Sequence, residues 1–174
     1  QDAAAVRLFA DSGLNFLVSS SFSKSFSLYG ERVGALSIVT NSKEEAGRVL
    51  SQAKRVIRTN YSNPPTHGAT VVASVLNSAE LRAMWEQELA EMRERIRDMR
   101  MAMVEQLAAQ GAKRDFSFVA RQRGMFSYSG LTAEQVERLK NEFAIYAVGT
   151  GRICVAALNR NNLDAVTRAI AQVI

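Results

Sequence analysis

The sequence predicts an α/β chain that continues through one long helix into a small α+β part. Three observations carry this reading. Two short apolar runs, "LNFLVSS" at 14–20 and "VGALSIVT" at 33–40, are bounded by turn residues, as strands buried on two faces are. From Asn77 onward, Leu81, Met84, Trp85, Leu89, Met92, Ile96, Met99, Met103 and Leu107 recur at helical spacing, an amphipathic pattern of roughly eight turns. After Gly111 short strands and short helices alternate, which suits two helices packed on a small sheet.

The elements follow in order. Residues 3–12 read as a helix with Val6, Leu8 and Phe9 apolar, and Gly13 ends it. The two apolar runs are the first strands. Ser42 with Glu45 three positions on forms a capping box, and the helix it opens runs to about Arg58. "NYSNPP" interrupts it, because Pro64 and Pro65 cannot lie inside a helix, whereas Pro65 can open the next one, over 66–76. Asn77 and Glu80 form a second cap-like pair at the head of the long helix. That helix ends near Gly111, and its length suits a bridge between two domains. Its Met and Arg stripes read as a core face and a solvated face. Beyond it the pattern gives a strand at 124–130, a helix at 133–143 capped by Thr132 with Gln135, strands at 145–150 and 152–158, and a final helix at 161–174.

Composition narrows the classes. The chain has 174 residues, 47% hydrophobic and 22% charged, an ordinary globular balance. Its one cysteine, Cys154, excludes a disulfide framework and a thiolate zinc site. It alternates with apolar strand residues and is expected to be buried and inert. A reduced, cytoplasmic setting fits. No run is long enough to span a membrane. The net charge of +5 would permit nucleic-acid binding, but acids interleave the bases, as in "MRERIRDMR". A basic helical nucleic-acid-binding module therefore remains as the non-enzyme alternative, resting on charge alone. The chain opens on Gln1 without a methionine and reads as a piece of something longer.

The chemistry gathers in "SSSFSKSFSLYGERVG", 19–34. Serines bury little apolar area, so this run does not fill a core. Lys24 supplies an amine that is nucleophilic when deprotonated. It follows a strand, where α/β enzymes place ligands. Ser21, Ser23 and Arg32 suit a phosphate, since hydroxyls donate to it and a guanidinium binds it bidentately. The single histidine, His67, stands near a helix start as a structural hydrogen-bonder.

"SFSKSFSLYGERVG" resembles the lysine signature of class I pyridoxal-phosphate aminotransferases. The likeness continues through "RTNYSNPPTHGA", "WEQEL", "RDFSF", "GMFSYSGL" and "GRICVAALN". Nearly the whole chain is similar to the C-terminal half of the aspartate and aromatic amino-acid subgroup. The resemblance implies that 1–77 is the C-terminal part of a cofactor-binding large domain, a mainly parallel sheet flanked by helices. It further implies that 78–110 is the bridging helix and 111–174 the small α+β domain. It implies Lys24 as the residue that bonds the aldehyde of pyridoxal 5'-phosphate and later moves the substrate proton. Ser21, Ser23 and Arg32 are implied as phosphate ligands, and Arg152 as the grip on the substrate α-carboxylate. Phe126 is implied as a wall of the substrate pocket. Arg58 is implied to meet the side-chain carboxylate of dicarboxylic substrates in the neighbouring subunit of a homodimer, with Tyr61 and Ser62 at that interface.

The implied substrates are amino acids and 2-oxo acids; nucleic acid, membrane and metal have no part. "QRGMFSYSGL" and "GRICVAALN" lean toward aromatic amino acids with 2-oxoglutarate as acceptor and aspartate as a second donor. "NYSNPPTHGA" and "WEQEL" lean toward an aspartate aminotransferase proper. A decarboxylase of the same fold type would not be expected to keep "NYSNPP" and "GRICVAALN" together. The family's upstream half supplies further cofactor contacts, so these 174 residues alone are expected to be inactive.

Overall fold

The computed structural model describes residues 3–174. The chain divides within its long helix into two compact units, Gln1–Glu86 and Gln87–Ile174.

In the first unit, helix α1 (Ala4–Asp11) leads into strands β1 (Phe16–Ser21) and β2 (Gly34–Val39). These pair antiparallel, from Phe16 opposite Val39 to Ser21 opposite Gly34. The expected mainly parallel sheet is therefore not found among the described residues. A parallel pair needs a crossover, usually a helix. The 22–33 connection instead doubles back, with Phe26 N–H donating to the Phe22 carbonyl and Ser27 N–H to that of Lys24. Nor are the strands buried on two faces: Leu17 and Leu36 are exposed, because a two-stranded ribbon carries no second layer of its own.

Helix α2 (Lys43–Tyr61) opens with the Ser42 hydroxyl accepting from Glu45 N–H at 3.1 Å. The Glu45 carboxylate accepts from Asn41 N–H and not from Ser42 N–H, so the expected box is displaced by one residue. The helix runs past Arg58 to Tyr61. It ends at Ser62, whose φ of 68° and ψ of −71°, with Asn63 N–H donating to the Tyr61 carbonyl at 2.9 Å, make a strained γ-turn ahead of the two prolines. Helix α3 (His67–Asn77) follows. Asn77 ends this helix and does not cap the next; the Ser78 hydroxyl does so, accepting from Leu81 N–H at 3.3 Å at the head of α4 (Ala79–Ala109).

The second unit holds nearly all of the core. Val72 is the one buried apolar residue of the first unit among those described; the others lie from Met103 to Val173. Its elements are α4 from Gln87 onward, a short α5 (Ser117–Ala120), β3 (Phe126–Tyr128), α6 (Ala133–Phe143), β4 (Arg152–Cys154), a 3-10 turn (Val155–Ala157) and α7 (Leu163–Val173). Strands β3 and β4 pair antiparallel. Thr132 and Gln135 form the expected reciprocal box on α6. Helix α5 was not expected. The Asp115 carboxylate fixes its start, accepting from Ser117 Oγ at 2.7 Å and Ser117 N at 2.8 Å, bonds that hold the Asp115 carboxyl below the usual carboxylate range.

Three sequence expectations fail here for local reasons. The 145–150 segment is no strand, because α6 closes on Ala144 in the left-handed region and Gly151 N–H donates to the Val148 carbonyl, turning the chain within four residues. The 152–158 strand stops at Cys154, where the chain tightens into the 3-10 turn and Leu158 N–H donates to Val155 O. Cys154 is exposed, not buried. Positions two apart share a strand face, so Cys154 shares the open face of Arg152.

The long-helix stripe is buried only at its far end. Met103 and Leu107 are fully buried, whereas Leu81, Met84 and Met92 are exposed. Leu107→Ala in the 174-residue chain is expected to cost about 2–5 kcal/mol in urea unfolding. Met92→Ala, drawn from the same apolar pattern, is expected to stay within about 0.5 kcal/mol.

Candidate active site

The first group of candidate residues collects at one end of the β1–β2 ribbon. Ser21 is the last residue of β1 and faces Gly34, the first of β2. Phe22 N–H donates to the Val33 carbonyl at 3.2 Å, extending the ladder by one step. Lys24 therefore follows one strand closely and Arg32 precedes the other. The strands approach so closely that a Cβ on Gly34 would lie 2.5 Å from the Ser20 carbonyl oxygen; only glycine fits there.

The donors are arranged within this end. Ser21 Oγ donates to Ser23 Oγ at 3.1 Å, and Ser23 N–H donates to Ser21 Oγ at 3.2 Å. Ser23 is 4% exposed, whereas Lys24 and Arg32 are open to solvent. The Lys24 amine stands 5.6 Å from the centroid of the Tyr29 ring. Arg32 has a φ of 52°, a region that costs a non-glycine residue energy. Its Nη1 donates to the Tyr29 carbonyl at 2.8 Å, which leaves the rest of the guanidinium free to face an anion. Two hydroxyls, a guanidinium and a primary amine at one ribbon end suit a phosphate monoester that also carries an aldehyde.

Trp85 holds this end in place, a role beyond its place in the helix stripe and in "WEQEL". Its indole Nε1 donates to the Ser25 carbonyl at 2.6 Å. Its ring stacks on Phe26 at 4.6 Å and 18°, and Phe26 meets Phe22 edge-on at 5.5 Å. The residues on either side of Lys24 are thus tied to α4. Arg58 lies apart in the last turn of α2, exposed, where with Lys54, Arg55 and Thr59 it lines a shallow basic recess. His67 is exposed at the first turn of α3.

The second group lies in the second unit. Arg152 opens β4 opposite Tyr128, and Phe126 is paired with Cys154. Arg152 and Phe126 are diagonal neighbours on the open face, and the Arg152 guanidinium lies 4.9 Å from the Phe126 ring centroid. Ser129, fully buried, fixes the turn ahead of Arg152: its N–H and Oγ both donate to the Gly151 carbonyl, at 2.9 and 2.7 Å. A Cβ on Gly151 would lie 2.6 Å from the Leu131 carbonyl oxygen.

Behind this pair, Arg100 is 4% exposed, which corrects its assignment to a solvated stripe. It lies four residues after Ile96 and three before Met103, which puts it in phase with the core face. Burial, and after it the charge of Arg123, press its pKa below the ordinary arginine value.

The profile of aminotransferases of class I and II matches residues 1–170. The chain belongs to this aminotransferase family. It is 82% identical over 174 residues to an aspartate aminotransferase of Pseudomonas aeruginosa, covering 100% of this chain and 44% of the relative. It is 52% identical to an aromatic-amino-acid aminotransferase of Escherichia coli, again over 100% of this chain and 44% of the relative. Among solved structures, an aromatic-amino-acid aminotransferase of Burkholderia pseudomallei covalently bound to pyridoxal phosphate superposes with a TM-score of 0.96. The two are 74% identical, over 99% of this chain and 43% of that one. The chain thus spans under half the length of the aminotransferases it matches. Among the described residues no helix is long and apolar enough to cross a membrane.

In this aminotransferase chain the indole bond and the aromatic stack at Trp85 can be separated by mutation. Trp85→Phe keeps a ring but orphans the Ser25 carbonyl, and is expected to cost about 1 kcal/mol. Trp85→Ala loses both and is expected to cost about 2 kcal/mol or more, short of the full-burial range because the residue is half-buried. Urea unfolding followed by circular dichroism reads the difference.

Proposed function

We propose that the chain belongs to a pyridoxal-phosphate-dependent aminotransferase that passes the amino group of aromatic amino acids and of aspartate to 2-oxoglutarate. The observation that carries the reading is the gathering of Lys24, Ser21, Ser23 and Arg32 at one ribbon end. The relatives' names support both substrate classes, since aspartate and aromatic-amino-acid aminotransferases stand side by side among them. In this reading 1–77 belongs to the cofactor-binding domain, 78–110 is the bridging helix and 111–174 is the small domain. The enzyme is a cytoplasmic homodimer.

Each residue has a physical task. Ser21, Ser23 and Arg32 hold the cofactor phosphate through charge-assisted hydrogen bonds. Lys24 Nζ would hold its aldehyde and, as a free amine, would carry the proton that leaves the substrate Cα. The cofactor, when bound, supplies an electron sink that makes that proton removable. Arg152 grips the α-carboxylate with two parallel N–H···O bonds and so orients the Cα–H bond. Phe126 packs beside it as a pocket wall. Arg58, reaching the neighbouring subunit's site, pairs with a side-chain carboxylate and turns toward solvent when the side chain is an aromatic ring, because a buried guanidinium facing a ring would lose its partner.

Two experiments on the cofactor-loaded protein test the reading. Lys24→Ala should retain the cofactor, seen in its visible absorbance, and lose transamination; turnover at a tenth of the unmutated rate would refute the role of Lys24. Arg58→Leu should lower kcat/KM for aspartate about a hundredfold and that for phenylalanine by less than about threefold. Half-reactions followed without 2-oxoglutarate keep the acceptor's own loss out of the comparison.

A further inference from the structure

We infer that Arg100 is a positioning residue for substrate carboxylate binding: from the helix behind it, Arg100 fixes the strand pair that presents Arg152 and Phe126. This rests on the reading of Arg152 given above and names the residue on which that grip depends.

Arg100 occupies a position where the stripe Ile96, Met103, Leu107 calls for an apolar side chain. A buried guanidinium is costly unless its donors are satisfied. Among the described residues its acceptors are all neutral and all belong to one short stretch. Nη2 donates to the Gly124 carbonyl at 2.6 Å and more weakly to that of Phe126 at 3.5 Å, and Nε donates to Ser127 Oγ at 3.2 Å. Ser127 is 2% exposed. On β3 it points opposite to Phe126 and Tyr128, the two residues that share Arg152's face. Arg100 thus grips the inner side of the strand whose outer side carries the candidate pocket.

A second arginine of the same helix acts on the other strand. Arg95 Nη2 donates to the Ala156 carbonyl at 2.7 Å and Nη1 to that of Leu158 at 2.9 Å, holding the 3-10 turn that follows β4. Ala156 N–H in turn donates to the Met125 carbonyl at 3.2 Å, joining the two anchored stretches. Both strands are therefore clamped to α4 from the Phe126–Cys154 end of their register, and the Arg100–Ser127 bond carries the hold to the middle of β3. With the fork of Arg100 removed, β3 is free to shift against the helix, and the Arg152 guanidinium that stacks on Phe126 shifts with it.

The test is the phenylalanine half-reaction of the cofactor-loaded protein, in a cycle of Arg100→Met, Arg152→Ala and the double variant. Arg100→Met should lower kcat/KM about tenfold, within the range a misplaced binding group costs. In the Arg152→Ala background the same substitution should change it by less than about twofold, because Arg100 acts through Arg152. Arg100→Lys, which keeps a charged donor on the helix but not the planar fork, should recover only part of the loss. An equal loss in both backgrounds would reduce Arg100 to general stability and overturn the inference, as would no loss from Arg100→Met alone. If Arg152→Ala itself left kcat/KM unchanged, the role of Arg152 would fall first and this inference with it. Should Arg100→Met fail to fold, Ser127→Ala, which removes a single acceptor, is run through the same cycle. A loss that disappears in the Arg152→Ala background supports the inference, and a loss that persists there overturns it.

Discussion

Everything at the two candidate groups depends on the register of a short antiparallel ladder. In the first unit, pairing Ser21 with Gly34 makes one strand's exit and the other's entry neighbours. That is what brings an amine and a guanidinium eight positions apart to one ribbon end. In the second unit, pairing Phe126 with Cys154 sets Arg152 diagonally beside the ring it stacks on. A slip of one residue would turn each set of side chains to the opposite face. The close approaches at Gly34 and Gly151 guard against that slip, because any side chain there would strike a backbone carbonyl.

The long helix serves the two units by different chemistry. Toward its start it offers an aromatic ring and one indole donor. Farther on it offers arginines whose planar forks reach main-chain carbonyls. Lysine could not hold two divergent carbonyls in one plane. The main-chain acceptors also explain why these contacts leave no pattern of paired opposite charges in the sequence. The exposed ion pairs among the described residues, such as Arg138 with Glu142, lie instead on helix surfaces, mostly at spacings of three or four, where each contributes little.

Much of the fold was legible because it is local. Thr132 with Gln135 announced α6, the prolines at 64 and 65 separated α2 from α3, and the serine-flanked Lys24 drew attention to the first candidate group. What failed was mostly non-local. An apolar run such as 14–20 shows that a strand seeks cover, but not which strand pairs with it or whether this chain supplies the cover. Other misses were readable after all. Arg152 and Cys154 are two apart, so an open Arg152 already implied an open Cys154. Arg100 sits in phase with Ile96 and Met103, so its burial was written in the helical period. Asn77 and Ser78 are adjacent cap formers, and nothing in the sequence alone separates them. Trp85 and Ser25 lie sixty positions apart, and only the fold reveals their bond.

Trp85 is the only tryptophan in the chain, and it lies in the first unit, whereas nearly all the buried apolar residues lie in the second. Intrinsic fluorescence excited at the indole band therefore reports on one unit, while the far-ultraviolet helix signal reports on both. The two optical transitions will overlay only if the units unfold as a single cooperative block. The placement of one indole thus makes the chain's internal cooperativity measurable without any added label.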